Sequence, residues 1–245
     1  FRRLEILLRE NCVTGIPSFP HSCSVATTNM TDTIINTVQA GFAQLGDGFG
    51  FSQGNMCNGA GTGVCSGKDW RHGGAPYVNQ MFMSAGGMPA SARNDGMHGM
   101  VNPVSAGLVY RDSIEVNEQR FPFQVESVRA LEDSCGAGRR RGGPASEVIM
   151  GPRNEPMLVI NISNGLENVP QGVLGGLPSQ PGVQMKISAD GSEEFYSTDA
   201  YCHLSPGDRL RAVDNGGGGY GDPLTREVER VLSDVQERFV SRAQA

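Results

Sequence analysis

Asp214-Asn215-Gly216-Gly217-Gly218-Gly219-Tyr220-Gly221-Asp222-Pro223 is the stretch whose reading decides the fold. Five of its ten residues are glycine. An apolar, strand-like run from Leu210 to Val213 enters it, and a helical pattern leaves it from Thr225. Glycine loses more conformational entropy on folding than any other residue, so a quartet inside ordered structure needs a reason. The usual reasons are positive φ angles, or a backbone that must let another backbone or a ligand come very close. The plain alternative is a floppy linker. A strand and a helix bracket the glycines with no spacer, which argues against it.

Composition extends the same picture outward. The chain has 245 residues, 38% hydrophobic and 19% charged, with 34 Gly and 14 Pro. Both percentages fall below usual globular values, and the difference points to turns and long ordered loops. The length suits one large domain or two small ones, and no linker divides it. No apolar run is long enough for a membrane span, and no signal-peptide pattern opens the chain. Its first residue is Phe1, which marks the true start as processed or missing. The net charge of −6 disfavours nucleic acid as a partner. Cys12, Cys23, Cys57, Cys65, Cys135 and Cys202 form no Cys-x-x-Cys pair. They read as free thiols in a reducing cytoplasm. His21, His72, His98 and His203 show no ligand spacing, so this chain alone is expected to bind no metal.

Read in order, residues 4–8 suggest a short strand. The first helix is expected at about 26–45, with Ile34, Val38, Phe42 and Leu45 forming one apolar stripe and Gly46 ending it. Residues 46–67 carry eight glycines among Ser52, Gln53, Asn55, Asn58 and Thr62, which suits either a loop shaping a ligand cavity or a packed turn region. Tyr77–Met83 reads as a strand, followed by a second glycine-rich turn from Ser84 to Gly96. Residues 113–132 read as one or two strands. Arg139, Arg140 and Arg141, set among glycines, read as a solvated surface turn. Short strands follow at 148–150, 157–162, 183–187 and 209–213, separated by turn pairs such as Asn164-Gly165 and Asp190-Gly191. A final amphipathic helix is expected over about 225–241, with Val228, Val231, Leu232, Val235 and Phe239 on one face. The fold class is therefore α+β, with mixed β-sheets, long glycine-rich loops and two main amphipathic helices.

Gly216, Gly218 and Gly221 satisfy G-x-G-x-x-G between a strand and a helix. A run of four glycines meets almost any glycine template, Pro223 delays the helix, and nothing upstream resembles a nucleotide-binding βαβ series. A dinucleotide site is rejected. The chain has no Walker A sequence and no G-x-S-x-G elbow.

Several pieces together resemble the hydantoinase B/5-oxoprolinase family. They are Pro206-Gly207-Asp208-Arg209-Leu210 with the 216–224 run, Ala26-Thr27-Thr28, Gly86-Gly87-Met88 through Arg93-Asn94-Asp95-Gly96, and Asp133 to Arg139 with Arg141-Gly142-Gly143. The resemblance spans essentially the whole chain. It implies an enzyme in which a hydantoinase A-like partner binds ATP with Mg and phosphorylates the substrate, and the B-type subunit completes the chemistry. Hydrolases of the family open cyclic amides such as hydantoins, 5-oxoproline or lactams, whereas relatives such as acetone and acetophenone carboxylases carboxylate the activated species. Residues 1–245 then form a single compact unit, the C-terminal part of a B-type subunit, separated from an N-terminal half that carries a divalent metal. Expected partners are the A-like subunit, that N-terminal half and a small-molecule substrate. Two readings compete with ring opening: ketone carboxylation, and a non-catalytic structural subunit.

Gly54-Asn55-Met56-Cys57-Asn58 only loosely resembles the family's Gly-Thr-Met-Asn-Asn run. No catalytic base is carried over. The expected substrate-binding residues are Asn55, Asn58, Gly86, Gly87, Arg93, Asp95, Asn215, Gly217, Gly218, Tyr220 and Asp222, with glycine N–H groups holding a carboxylate or a phosphorylated intermediate.

Overall fold

The computed structural model describes residues 5–11, 15–16, 18–19, 31–55, 60–99 and 111–245. In chain order the elements are α1 (Thr31–Ala43), β1 (Val64–Asp69), β2 (Ala75–Gln80), α2 (Ile114–Arg120), β3 (Phe123–Ala130), β4 (Ser146–Pro152), β5 (Met157–Ile162), β6 (Val183–Ile187), β7 (Glu193–Phe195), β8 (Asp199–Leu204), β9 (Arg209–Val213) and α3 (Val228–Gln236). The strands form two sheets, β2-β1-β5-β8 and β3-β4-β9-β6-β7. Their pairings are antiparallel. The fold is α+β.

Strict alternation decides which residues meet between the sheets. In β8, Ala200, Cys202 and Leu204 are buried while Asp199, Tyr201 and His203 face out. Cys65, Met157, Val159 and the β8 trio meet Phe123, Val148, Met150, Leu210 and Ala212 from the other sheet in one apolar cluster. Burying each larger side chain contributes roughly 1.5–3 kcal/mol, and this cluster anchors the fold. On the opposite face of β4, Glu147 is fully buried between Arg129 at 2.6 Å and Arg211 at 2.5 Å. Burial alone would raise its carboxyl pKa, but the two arginines outweigh that and hold it low.

Several local expectations change. Residues 5–9 carry no strand. Residues 113–120 are not a strand: Ser113 caps α2 by accepting from the Val116 N–H, and that side-chain cap overrides the apolar alternation of Ile114 and Val116. The first helix is seen from Thr31, and its first expected residues, with Ala26-Thr27-Thr28, lie outside the described residues. The last helix is shorter than expected. Residues 223–225 form a 3-10 turn capped by Asp222, and Glu237 ends α3. Val228 and Leu232 face out, because Asp234 is the buried residue of α3. Cys65, Cys135 and Cys202 are free thiols, while Cys12, Cys23 and Cys57 lie outside the described residues.

Candidate functional site

The glycine run lies inside the molecule, and every residue from Asp214 to Gly221 is buried. Within it φ is positive only at Gly221, at +74°. Unusual backbone angles therefore do not explain the quartet. A Cβ at Gly216 would overlap the Ser134 carbonyl, one at Gly217 that of Met88, one at Gly218 that of Gln171 and one at Gly219 that of Ala137. Close approach of backbone to backbone is the reason for the glycines.

Hydrogen bonds leave the run in several directions, unlike the two of a sheet strand. Gly217 donates to Gly143 at 2.8 Å and accepts from Gly136 at 2.8 Å. Gly218 donates to Gln53 at 2.7 Å and accepts from the Ser52 hydroxyl at 2.6 Å. Gly219 donates to Leu177 and accepts from Val173, and Tyr220 exchanges two bonds with Arg140. Residues 52–55, 86–90, 134–143 and 171–177 are thus tied around one central segment. This corrects the expectation that glycine N–H groups here hold a ligand, since each N–H from Gly217 to Gly221 is bonded to a carbonyl of the chain itself.

Most of the expected site residues join this hub. The Asn55 side-chain oxygen accepts from the Asn215 N–H at 3.1 Å, and the Gly87 N–H donates to the Asn215 carbonyl at 2.9 Å. Gly86 leaves room for the Asn55 side chain. Asn215 is fully buried and its amide donates to Gly165 at 2.7 Å, while its side-chain oxygen has no hydrogen-bond partner among the described residues. Tyr220 is also fully buried, and its hydroxyl accepts from the Gly48 N–H and donates to the Phe49 carbonyl. Arg93 is exposed. Asp222 is exposed too, and its carboxylate caps the Leu224 N–H at 2.9 Å. Asn58 lies outside the described residues.

Asp95 belongs to a second cluster. Its carboxylate takes Arg226 at 2.7 Å and Arg230 at 3.1 Å, and accepts the Arg141 N–H at 2.8 Å. Asp234 takes Arg141 at 2.7 Å and Arg226 at 2.6 Å. Burial would raise the Asp95 pKa, but Arg226, with Arg141 behind it, holds it below the usual range. The arginine triplet is therefore not a solvated turn: Arg141 is 8% exposed, and its guanidinium also stacks over Phe239 at 4.6 Å. The network pins α3 to the Asp95 turn and to residues 141–143.

Sequence reasoning passed over a third group beside the hub. His98 pairs across from Gly87, and its Nδ1 lies 3.1 Å from the Pro144 carbonyl. A carbonyl only accepts, so Nδ1 carries the proton and Nε2 is left as an acceptor. Burial chiefly, with the charge of Arg111, holds the imidazole pKa below its ordinary value, so it is neutral at pH 7. The Arg111 guanidinium lies against Gly99 and donates to the Ser146 hydroxyl at 3.4 Å. Buried Asp214 offsets part of the desolvation cost of Arg111. A neutral imidazole next to a guanidinium can exchange a proton and hold an anionic oxygen. The available signal was position: His98 follows the Asp95-Gly96 turn by two residues. Among the described residues no three His, Cys, Asp or Glu side chains come together as a metal-ligand group.

Two antiparallel sheets and a buried glycine hub define a glycine-rich α+β fold. The chain belongs to the hydantoinase B/oxoprolinase family, whose model matches residues 1–223. It is 30% identical over 181 residues to caprolactamase subunit beta of Pseudomonas jessenii, a match covering 72% of this chain and 31% of that protein. The fold matches the crystal structure of the ATP-dependent caprolactamase from Pseudomonas jessenii with a TM-score of 0.65 at 24% identity, over 79% of this chain and 34% of that one. A nucleotide-free acetone carboxylase matches with a TM-score of 0.65 at 17% identity, over 80% of this chain and 30% of that one. The chain spans less than a third of the length of the curated caprolactamase subunit it matches.

Proposed function

We propose that the chain is part of a B-type subunit in a multi-subunit, ATP-dependent amidohydrolase that opens a cyclic amide. The similarity to caprolactamase subunit beta over 72% of the chain carries this reading. An A-type partner would bind ATP and Mg and phosphorylate the amide carbonyl oxygen, and the rest of the B-type subunit would hold the divalent metal. The glycine hub, with Asn55, Gly86, Gly87, Asn215, Gly217 and Gly218, sets the relative positions of the loops around the substrate. Arg111 holds a phosphoryl or carboxylate oxygen, and His98 Nε2 takes a proton from the attacking water.

Carboxylation of a ketone is the second reading, favoured by the equal TM-score of 0.65 to acetone carboxylase. The deciding experiment assembles the chain with an ATP-binding partner and the rest of the B-type subunit. Caprolactam, 5-oxoproline and hydantoin are then supplied with ATP, and ring-opened product and ADP are measured. Product in step with ADP is expected, and His98→Gln should lower turnover about 10²–10⁴-fold without disturbing assembly. Label entering a ketone from bicarbonate, with no ring opening, replaces the hydrolase by the carboxylase. An assembled complex whose kinetics ignore every loop substitution makes the chain structural.

A further inference from the structure

Helix α1 is inside out. Its buried positions are Asp32, Asn36 and Ala43. The apolar stripe that sequence periodicity assigns to the core faces solvent instead, with Ile34 44%, Val38 48%, Phe42 51% and Leu45 67% exposed. The inversion is locked. Asn36 accepts from the Gly54 N–H at 2.8 Å, and rotating the helix to bury the stripe would break that bond and strand a buried amide. A solvent-facing helix surface normally carries charge. Between residues 31 and 45 the one charged side chain is Asp32, and it is buried. Phe49, 53% exposed, lies in the turn that follows. Gly41 sits on the open side with no heavy atom within 4 Å of an added Cβ, between Val38 and Leu45 at the spacing of a helix-packing seam.

We propose that this face is an internal seam on which an apolar helix from the remainder of a family-length B-type subunit packs. Length argues for that occupant: the matched 181 residues are 31% of caprolactamase subunit beta, so more than two thirds of a subunit of that length is available to cover the face. A contiguous, uncharged apolar face of this kind marks an interface, and the gap at Gly41 lets a helix backbone approach closely. The proposal rests on family membership and not on the reaction catalysed.

The probe is the portion of caprolactamase subunit beta outside its match to this chain, titrated into the 245-residue chain. Association is expected, and Phe42→Glu should weaken it at least tenfold. Gly41→Leu should also weaken it by filling the gap, although leucine favours a helix over glycine and has room here. Phe42→Glu should melt within about 2 °C of the parent chain, because the altered side chain faces solvent, and Gly41→Leu should melt no lower than the parent. Lack of association up to 100-fold excess of probe overturns the proposal, as does association indifferent to both variants. A stable homodimer of the chain that Phe42→Glu dissolves assigns the face to a second copy instead. A loss of stability in the isolated Phe42→Glu chain shows that the face is packed internally.

Discussion

Two cores hold this molecule, and they use opposite parts of the chain. Between the sheets, side chains do the packing: Phe123, Val148, Met150, Leu204 and Leu210 interlock, and the backbone stays within its ladders. Around residues 214–221 the backbone itself does most of the packing, and each glycine from Gly216 to Gly219 lies against the backbone of another segment. In the first core a residue is chosen for what it fills. In the second it is chosen for what it leaves out. The difference teaches that burial and hydrophobicity are separable, because the most enclosed segment of the chain is among its least apolar.

The comparison is easiest to break at Gly217. Gly217→Ala places a methyl group against the Met88 carbonyl, and backbone on that side is fixed by Gly143. The expected loss exceeds about 4 kcal/mol, a large share of total stability, so the variant should be recovered unfolded or insoluble. A cooperative melt within a few degrees of the parent would show that the hub yields. The side-chain core should be more forgiving: Met150→Ala leaves a cavity and is expected to cost about 2–5 kcal/mol while the chain still folds, measured as a shift in urea midpoint.

The smallest effect belongs to the ionic cluster that borders the hub. Asp95→Asn should cost roughly 2 kcal/mol at pH 7, less than the 3–5 expected of a fully enclosed pair because the Asp95 side chain is 19% exposed. The sign of its pH dependence follows from the depressed carboxyl pKa. A carboxyl more acidic when folded contributes its stability above the unfolded value of 3.8, and loses it as pH falls toward the folded value. The gap in melting temperature between parent and variant should therefore be full at pH 7 and shrink below pH 4. A gap that stays constant down to pH 3 would remove the carboxylate from the account.

Much of the fold was legible where turn chemistry and periodicity agreed. The strands at 157–162, 183–187 and 209–213 stand between glycine turns whose spacing leaves little choice. The glycine run was legible as a place of close approach, and the structure identifies the approaching group as backbone. The failures have particular causes. β8 was missed because its inward residues, Ala200 and Cys202, are small while Tyr201 and His203 alternate outward. Ile114 and Val116 imitate a strand until Ser113 caps the helix. The α1 stripe was real, but periodicity tells only that a face is apolar and not what covers it. Arg141 looked solvated because its carboxylate partner, Asp234, lies 93 residues later. Asn55, Gly86, Gly87 and Asn215 were expected to converge, and hydrogen bonds and close approach bring them together at the hub. His98 and Arg111 were not, since each is an ordinary residue until the hub brings residues 98–99, 111 and 146 side by side.

The hub also sets an order of assembly. Its bonds join residues 52–53, 87–90, 136–143 and 171–177 through a segment that begins at residue 214, so contacts such as Ser52 to Gly218 span 166 positions. Contacts between distant segments are slow to form because loop closure must precede them. During synthesis the carbonyls of three earlier loops, and the N–H groups of Gly87 and Ala90, wait for their partners until residues 215–221 emerge. A pause of the ribosome before residue 214 would leave those loops open together, and a partner that shields them would be needed there more than anywhere else in the chain.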